Sequence, residues 1–308
     1  MTWLMAFTGT ASPLQAKKAV WGYLFLLPWL LGLLLFGAGP ILASFVLSFT
    51  KYDIVSAPKF LGLQNYYDAF FKDPLFWPSL LRTFEYTVVV VPVGVIGSLC
   101  LALLLNRGKR GMNVFRTLFF LPSLTPAVAQ ALLWTWIFQP LVGPVNDFLR
   151  IFGIPGPGWL LSRHWALPSL ILITLWASWG SNTMIIFLAG LQGVPQSLMD
   201  AASIDGAGRW TKFWHVTVPM ISPTVLFNLV LGVIGALQVF TLAYVATQGG
   251  PSYATWFLAL HIYKQAFSYL RLGYGAALAW VFTAILLLFT YIQLRLSRKW
   301  VYYEGGAE

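Results

Sequence analysis

Six stretches of this sequence, residues 20–49, 83–105, 117–138, 166–191, 221–246 and 274–294, carry almost no ionisable side chain. An α-helix of about 20 apolar residues crosses the hydrocarbon of a bilayer. Inside hydrocarbon each backbone N–H and C=O needs an internal partner, so isolated strands are excluded and each run is expected to be a membrane-spanning helix. Pro28, Pro40, Pro92, Pro122 and Pro126 fall within or at the ends of the first three runs. Kinks at such positions suit helices that bend around a cavity.

Composition agrees with a lipid solvent. Only 9% of the 308 residues are charged and 58% are hydrophobic, with a mean hydropathy of +0.74. A soluble domain carries about 25% charged residues, and a chain this poor in charge has too few to cover a water-facing surface. The net charge of +10 follows from Lys and Arg retained on one side of a membrane and drawn to anionic headgroups, so nucleic acid is not an expected partner and the lipid bilayer is. The basic pair Lys17 and Lys18 comes after the first residues rather than at their start, and the apolar run behind it is too long for a signal-peptide core. Ala19 onward is therefore read as a retained first span.

Eleven basic residues, Lys17 and Lys18, four in the short link 106–116, Arg209 and Lys212, and three in 295–299, flank one side of the six runs against eight on the other (Lys51, Lys59, Lys72, Arg82, Arg150, Arg163, Lys264 and Arg271), and the eleven cluster tightly beside span ends. The positive-inside rule makes that side, and both termini, cytoplasmic. The expected organisation is a cytoplasmic tail 1–19, a first span 20–50, an external loop 51–78, a five-helix core 79–299 and a cytoplasmic tail 300–308.

Several chemistries are disfavoured. Proton- and ion-coupled transporters place ionisable residues at membrane depth, whereas here only Glu85, near an outer end, comes close. Cys100 is the single cysteine, so no intrachain disulfide or cysteine-based metal site forms. His164, His215 and His261 lie in connections or at span ends and are read as satisfied interface residues rather than ligands. No catalytic or metal-binding constellation is expected. A G-x-x-x-x-G-K-S/T run to cradle phosphates is absent from the sequence, so if ATP drives this protein, another chain binds it.

The connection between the fourth and fifth runs, residues 194–219, carries the most information. Pro195 suits the first turn of a short helix, Leu198 to Ile204 propagate it, and Asp205-Gly206 supplies a break before a second helix running to Pro219. This predicts a helical hairpin at the membrane surface. Arg209, Lys212, Trp210 and Trp214 also permit a plainer reading, an amphipathic loop resting on headgroups.

Asp200-Ala201-Ala202, then Gly206 after three residues, Val216 after nine more, and Val218-Pro219 resemble the signature E-A-A-x(3)-G-x(9)-I-x-L-P of the integral-membrane subunits of binding-protein-dependent ABC importers. Asp stands for Glu, and Val for both Ile and Leu. The runs 119–122, 187–192, 249–251, 273–280 and 300–304, and the Asp205-Gly206-Ala207 form of the motif, are similar to the carbohydrate-uptake branch, to which glycerol-3-phosphate permeases also belong.

The resemblance implies an all-α membrane fold of six transmembrane helices with a cytoplasmic coupling-helix hairpin between spans four and five, the type I importer permease fold. It implies a bacterial or archaeal plasma membrane. It implies partners: a second homologous permease subunit, an ABC ATPase dimer carrying ATP and Mg, and an extracytoplasmic solute-binding protein. This chain itself would bind no cofactor. Asp200, Ala201, Ala202, Asp205, Gly206, Ala207, Arg209 and Pro219 would form the ATPase-coupling motif. Gly206 would allow the tight break, the two alanines would permit close approach, and Arg209 or Lys212 would make rim contacts.

Trp176, Asn182, Gln192, Asn228, Gln238, Phe240 and Thr241 offer aromatic faces and neutral hydrogen-bonding groups for a sugar path, Gln238 and Phe240 foremost. Helix–helix hydrogen bonding is the competing role for such residues. A facilitator or channel, and a membrane-embedded enzyme, are the rival readings. The first leaves the spaced hairpin unexplained and the second lacks catalytic groups.

Overall fold

The computed structural model describes residues 13–106 and 111–302. Arg107, Lys109 and Arg110 of the basic link, most of the tail 1–19, and Tyr303 and Glu304 lie outside the described residues. Helix α1 runs from Pro13–Gly32 through a π-helical turn, Leu33–Ala38, into Gly39–Ser48. The turn prepares for Pro40, which has no N–H to donate: the preceding amide, Gly39 N–H, reaches back five residues to the Leu34 carbonyl. Between residues 14 and 47 no described residue of α1 is buried within the chain.

The remaining helices are α2 (Gln64–Phe71), α3 (Phe76–Leu105), α4 (Met112–Phe120), α5 (Ala127–Ile137), α6 (Pro144–Ile151), α7 (Ala166–Trp179) and α8 (Asn182–Gln192). They continue with α9 (Gln196–Ile204), α10 (Arg209–Lys212), α11 (Ser222–Leu237), α12 (Thr241–Ala246), α13 (Leu258–Tyr263) and α14 (Leu272–Ser297). Among the described residues four helices are long and apolar enough to cross a membrane: Lys17–Ser48, Phe76–Leu105, Ser222–Ala246 and Leu272–Ser297. Two bent pairs bring the possible total to six.

The bends correct the sequence reading. The run 117–138 is not one helix: Met112–Leu124 and Ala127–Ile137 meet at 95°. Thr125 is extended (ψ 128°) because it precedes Pro126, whose ring disfavours helical geometry at the residue before it. The run 166–191 bends by 41° between α7 and α8. There Gly180 leaves room for the Phe119 carbonyl to approach where a Cβ would collide with it, and Ser181 caps α8 by accepting the Thr183 N–H at 3.3 Å. Helix α3 begins at Phe76 rather than residue 83. Its early polar residues are satisfied locally: Ser79, Thr83 and Thr87 hydroxyls donate to carbonyls one turn back at 2.7–2.8 Å, and Arg82 pairs with Glu85 at 2.6 Å.

The chain divides into two compact units. The first comprises residues 1–69 and 265–280. There the antiparallel strands β1 (Thr50–Lys51) and β2 (Lys59–Phe60) follow α1, Asn65 donates to the Ser48 and Thr50 carbonyls at 2.8 and 2.9 Å, and Trp280 stacks edge-on against Phe45.

The second unit, residues 70–264 and 281–308, is organised around α3, which packs against α7, α8 and α11. Tyr86, Leu170, Ile173, Phe187 and Leu237 are buried there. His261 is buried in the same unit, 1% exposed. The Trp256 indole N–H donates to His261 Nδ1 at 3.1 Å. Since an indole nitrogen only donates, the ring proton sits on Nε2, which faces Asp73 Oδ2 at 2.8 Å. His261 is thus held by partners on both sides, as expected of a satisfied residue, while His164 and His215 are exposed.

Candidate functional site

The predicted hairpin is present as α9, a tight reversal, and α10, which continues through a π turn, Phe213–Thr217, into Val218–Met220. Pro195 does not sit in the first turn; it is the capping residue (ψ 128°) and the helix begins at Gln196. The reversal at Gly206 is a Schellman motif: Ala207 N–H bonds the Ala202 carbonyl at 2.9 Å and Gly206 N–H bonds Ser203 at 3.1 Å. Gly206 has φ +77°, a left-handed conformation costly for most residues with a Cβ, Asn and Asp apart. Nothing lies within 4 Å of a Cβ placed there, so the constraint is backbone geometry rather than space.

Two side-chain bonds brace the hairpin. Gln196 Nε2 donates to Asp200 Oδ1 at 3.0 Å along α9, and Lys212 Nζ reaches back across the turn to Ser203 Oγ at 2.6 Å. Most of the surface is exposed: Asp200, Ala201, Asp205 and Arg209 face outward, as do Ile204 (87%) and Trp210 (75%). Beneath α9 lies a cleft of about 380 Å³ walled by Leu198, Ala201, Ala202, Val216, Pro219 and Met220 together with Asp205, His215 and Tyr302. Small and apolar side chains left uncovered on a braced turn make a surface ready for another protein or for headgroups.

A cavity of about 370 Å³ lies in the second unit, among α3, α5, α7, α8, α11 and the start of α12. Among the described residues no charged side chain lines it. Its polar groups are Tyr86, Ser98, Gln130, Thr174, Ser178, Thr183, Asn228 and Thr241. Tyr86 and Thr174 satisfy one another through a 2.7 Å hydroxyl contact. In contrast, Gln130 Nε2 and Asn228 Nδ2 are buried with no hydrogen-bond partner among the described residues. Phe240 stands on the wall, stacked on Tyr244 with ring centroids 5.4 Å apart and 14° between planes.

Of the path residues named from sequence, Asn228, Phe240 and Thr241 line this cavity. Gln238 does not: it follows the last residue of α11, its N–H bonded to Ile234 O at 3.2 Å, and is exposed. Asn182 and Gln192 are exposed at the two ends of α8. Trp176 lines a separate, largely apolar cavity of about 860 Å³, packed edge-on against Trp134. Gln130 was not among the residues named from sequence, although it is the one amide in the largely apolar α5.

A family model described as binding-protein-dependent transport system inner membrane component matches residues 92–302, a segment that holds the hairpin and nearly all of the cavity lining. This chain belongs to that family. It is accordingly an inner-membrane component of a binding-protein-dependent transport system. The probable ABC transporter permease protein YesP of Bacillus subtilis is 40% identical over 95% of each chain. The lactose transport system permease protein LacF of Rhizobium radiobacter is 35% identical over 95% of this chain and 99% of its own. A crystal structure of a bacterial ABC transporter involved in alginate import contains a chain sharing the fold, with a TM-score of 0.81 at 22% identity. It covers 92% of this chain and 97% of the other.

Proposed function

We propose that this chain is one of two permease subunits of an ATP-driven importer and forms part of the path for a neutral sugar or related polyol. The observation that carries the substrate class is the pair of buried donors without partners, on Gln130 and Asn228, in the wall of one uncharged cavity. A buried donor left unmade costs about 1–3 kcal/mol. A solute rich in hydroxyl oxygens supplies the missing acceptors once either amide turns toward the cavity its residue lines, and the Phe240 face offers the apolar contact a sugar ring accepts. A phosphate ester would bring charge that no cationic side chain of the lining balances, which weighs against glycerol-3-phosphate at this cavity. The name of the lactose-system relative supports the same class.

In this reading the broken pairs each form one span, giving six, with both termini and the hairpin cytoplasmic. The tails 1–19 and 300–308 and the external loop 51–78 flank the first span and the five-helix core 79–299. Asp200, Ala201, Ala202, Asp205, Gly206, Ala207, Arg209 and Pro219 form the coupling surface, seated against an ABC ATPase dimer that carries ATP and Mg. A solute-binding protein delivers the sugar from outside, and this chain binds no cofactor of its own. The uncovered α1 faces lipid or the second permease subunit.

The test is uptake by the complex in proteoliposomes. Gln130→Leu and Asn228→Leu are each expected to lower uptake about two- to twelvefold, the worth of one hydrogen bond of about 0.5–1.5 kcal/mol, with the complex still assembled. Unchanged uptake in both variants would remove the cavity from the path.

A further inference from the structure

Pro219, in the coupling hairpin, presents a carbonyl that the helix cannot satisfy in the ordinary way, because the residue four positions on is Pro223, which has no N–H. Ser222 replaces it. Its hydroxyl, in a residue only 2% exposed, donates to the Pro219 carbonyl at 2.6 Å. The same oxygen accepts the backbone N–H of Tyr302 at 2.8 Å, which fixes the hydroxyl proton toward Pro219. Tyr302 belongs to the segment beyond α14. There the chain turns on Ser297, whose carbonyl takes both the Trp300 and Val301 amides at 3.1 and 2.9 Å. Ser297 is itself buried and its hydroxyl is anchored on Leu294 at 2.8 Å. Tyr302 also lines the cleft beneath α9, with Pro219 and Met220.

We propose that this segment is a strut: through Tyr302 N–H, Ser222 Oγ and the Pro219 carbonyl, the end of the last span holds the pivot on which the hairpin turns. Ser222 and Tyr302 are positioning residues, acting on transport through the hairpin. The inference rests on the coupling role given to that hairpin. A strut at the pivot makes hairpin and last span move as one body, so that displacement of the hairpin reaches α14 as well as α11.

The variant that isolates the contact is Tyr302→Pro, which removes one N–H beyond the last span and leaves every membrane helix unaltered. In the purified complex in proteoliposomes, Tyr302→Pro and Ser222→Ala are expected to lower transport per ATP hydrolysed at least threefold, with unchanged amounts of assembled complex. Tyr302→Phe, which keeps the N–H, restores the wild-type ratio. Amide exchange at Tyr302, slow in the wild type, becomes fast in Ser222→Ala. Gly206→Val is measured in parallel. Loss of coupling in Gly206→Val with wild-type ratios in both Tyr302→Pro and Ser222→Ala would overturn the strut while leaving the hairpin reading intact. Equal losses in Tyr302→Phe and Tyr302→Pro would overturn it too, by assigning the effect to the ring. Silence in Gly206→Val would fault the coupling reading beneath it.

Discussion

Gln130 and Gln238 are both amides in apolar surroundings, yet one lines the cavity and the other is exposed beyond the end of a helix. Hydropathy cannot separate them, because an apolar run in a membrane is hydrophobic on every face and gives little amphipathic signal to show which side meets other helices. The readable clue was rarity, a lone amide within α5. His261 illustrates the same gap from the other side. Its role as a satisfied residue was legible, but its partners were not: Asp73 lies 188 positions away and nothing local connects the two. His261→Ala removes the acceptor of the Trp256 indole and one bond to Asp73. It is expected to destabilise the chain by about 1–3 kcal/mol, seen as a lower melting temperature in detergent, whereas His164→Ala at an exposed site leaves it unchanged. An unshifted melting temperature for His261→Ala would mean that the buried triad does not hold the unit together.

At the scale of elements, the apolar runs were legible because length and hydropathy alone decide what crosses hydrocarbon. Their interruptions were not. Proline tells of a kink without its size, and the 95° turn at Thr125 and Pro126 looks, in sequence, like Pro92, through which α3 continues unbroken. The hairpin was readable in more detail, since a helix followed by Asp-Gly carries its own stop signal, and Gly206 does adopt the left-handed conformation. Because a Cβ there meets open space, Gly206→Val acts through backbone strain alone, about 1–2 kcal/mol. It is expected to reduce the ATP hydrolysis stimulated by loaded binding protein, while Gly206→Asn, which tolerates the left-handed region, retains more of it. Equal stimulation in the two variants would show that the reversal geometry is not what matters.

For the whole molecule, the sequence motif and its spacing pointed to the transport family, and the matched segment 92–302 bears that out. The division into two compact units, with residues 265–280 grouped with the first 69, was not foreseeable, because it depends on packing between residues distant in sequence. Part of the basic pattern used for orientation, Arg107 to Arg110, lies outside the described residues. On the proposed reading this chain conducts solute only as a partner's ATP cycle drives its hairpin. The deciding measurement is ATP-dependent sugar uptake into proteoliposomes by the complete complex, comparing the wild type with a chain whose residues 200–206 are replaced by a Gly-Ser sequence. Uptake is expected to depend on ATP in the wild type and to be lost in the variant, with the chain inserted in equal amount. Full uptake by the variant, or wild-type uptake that proceeds without ATP, would contradict it.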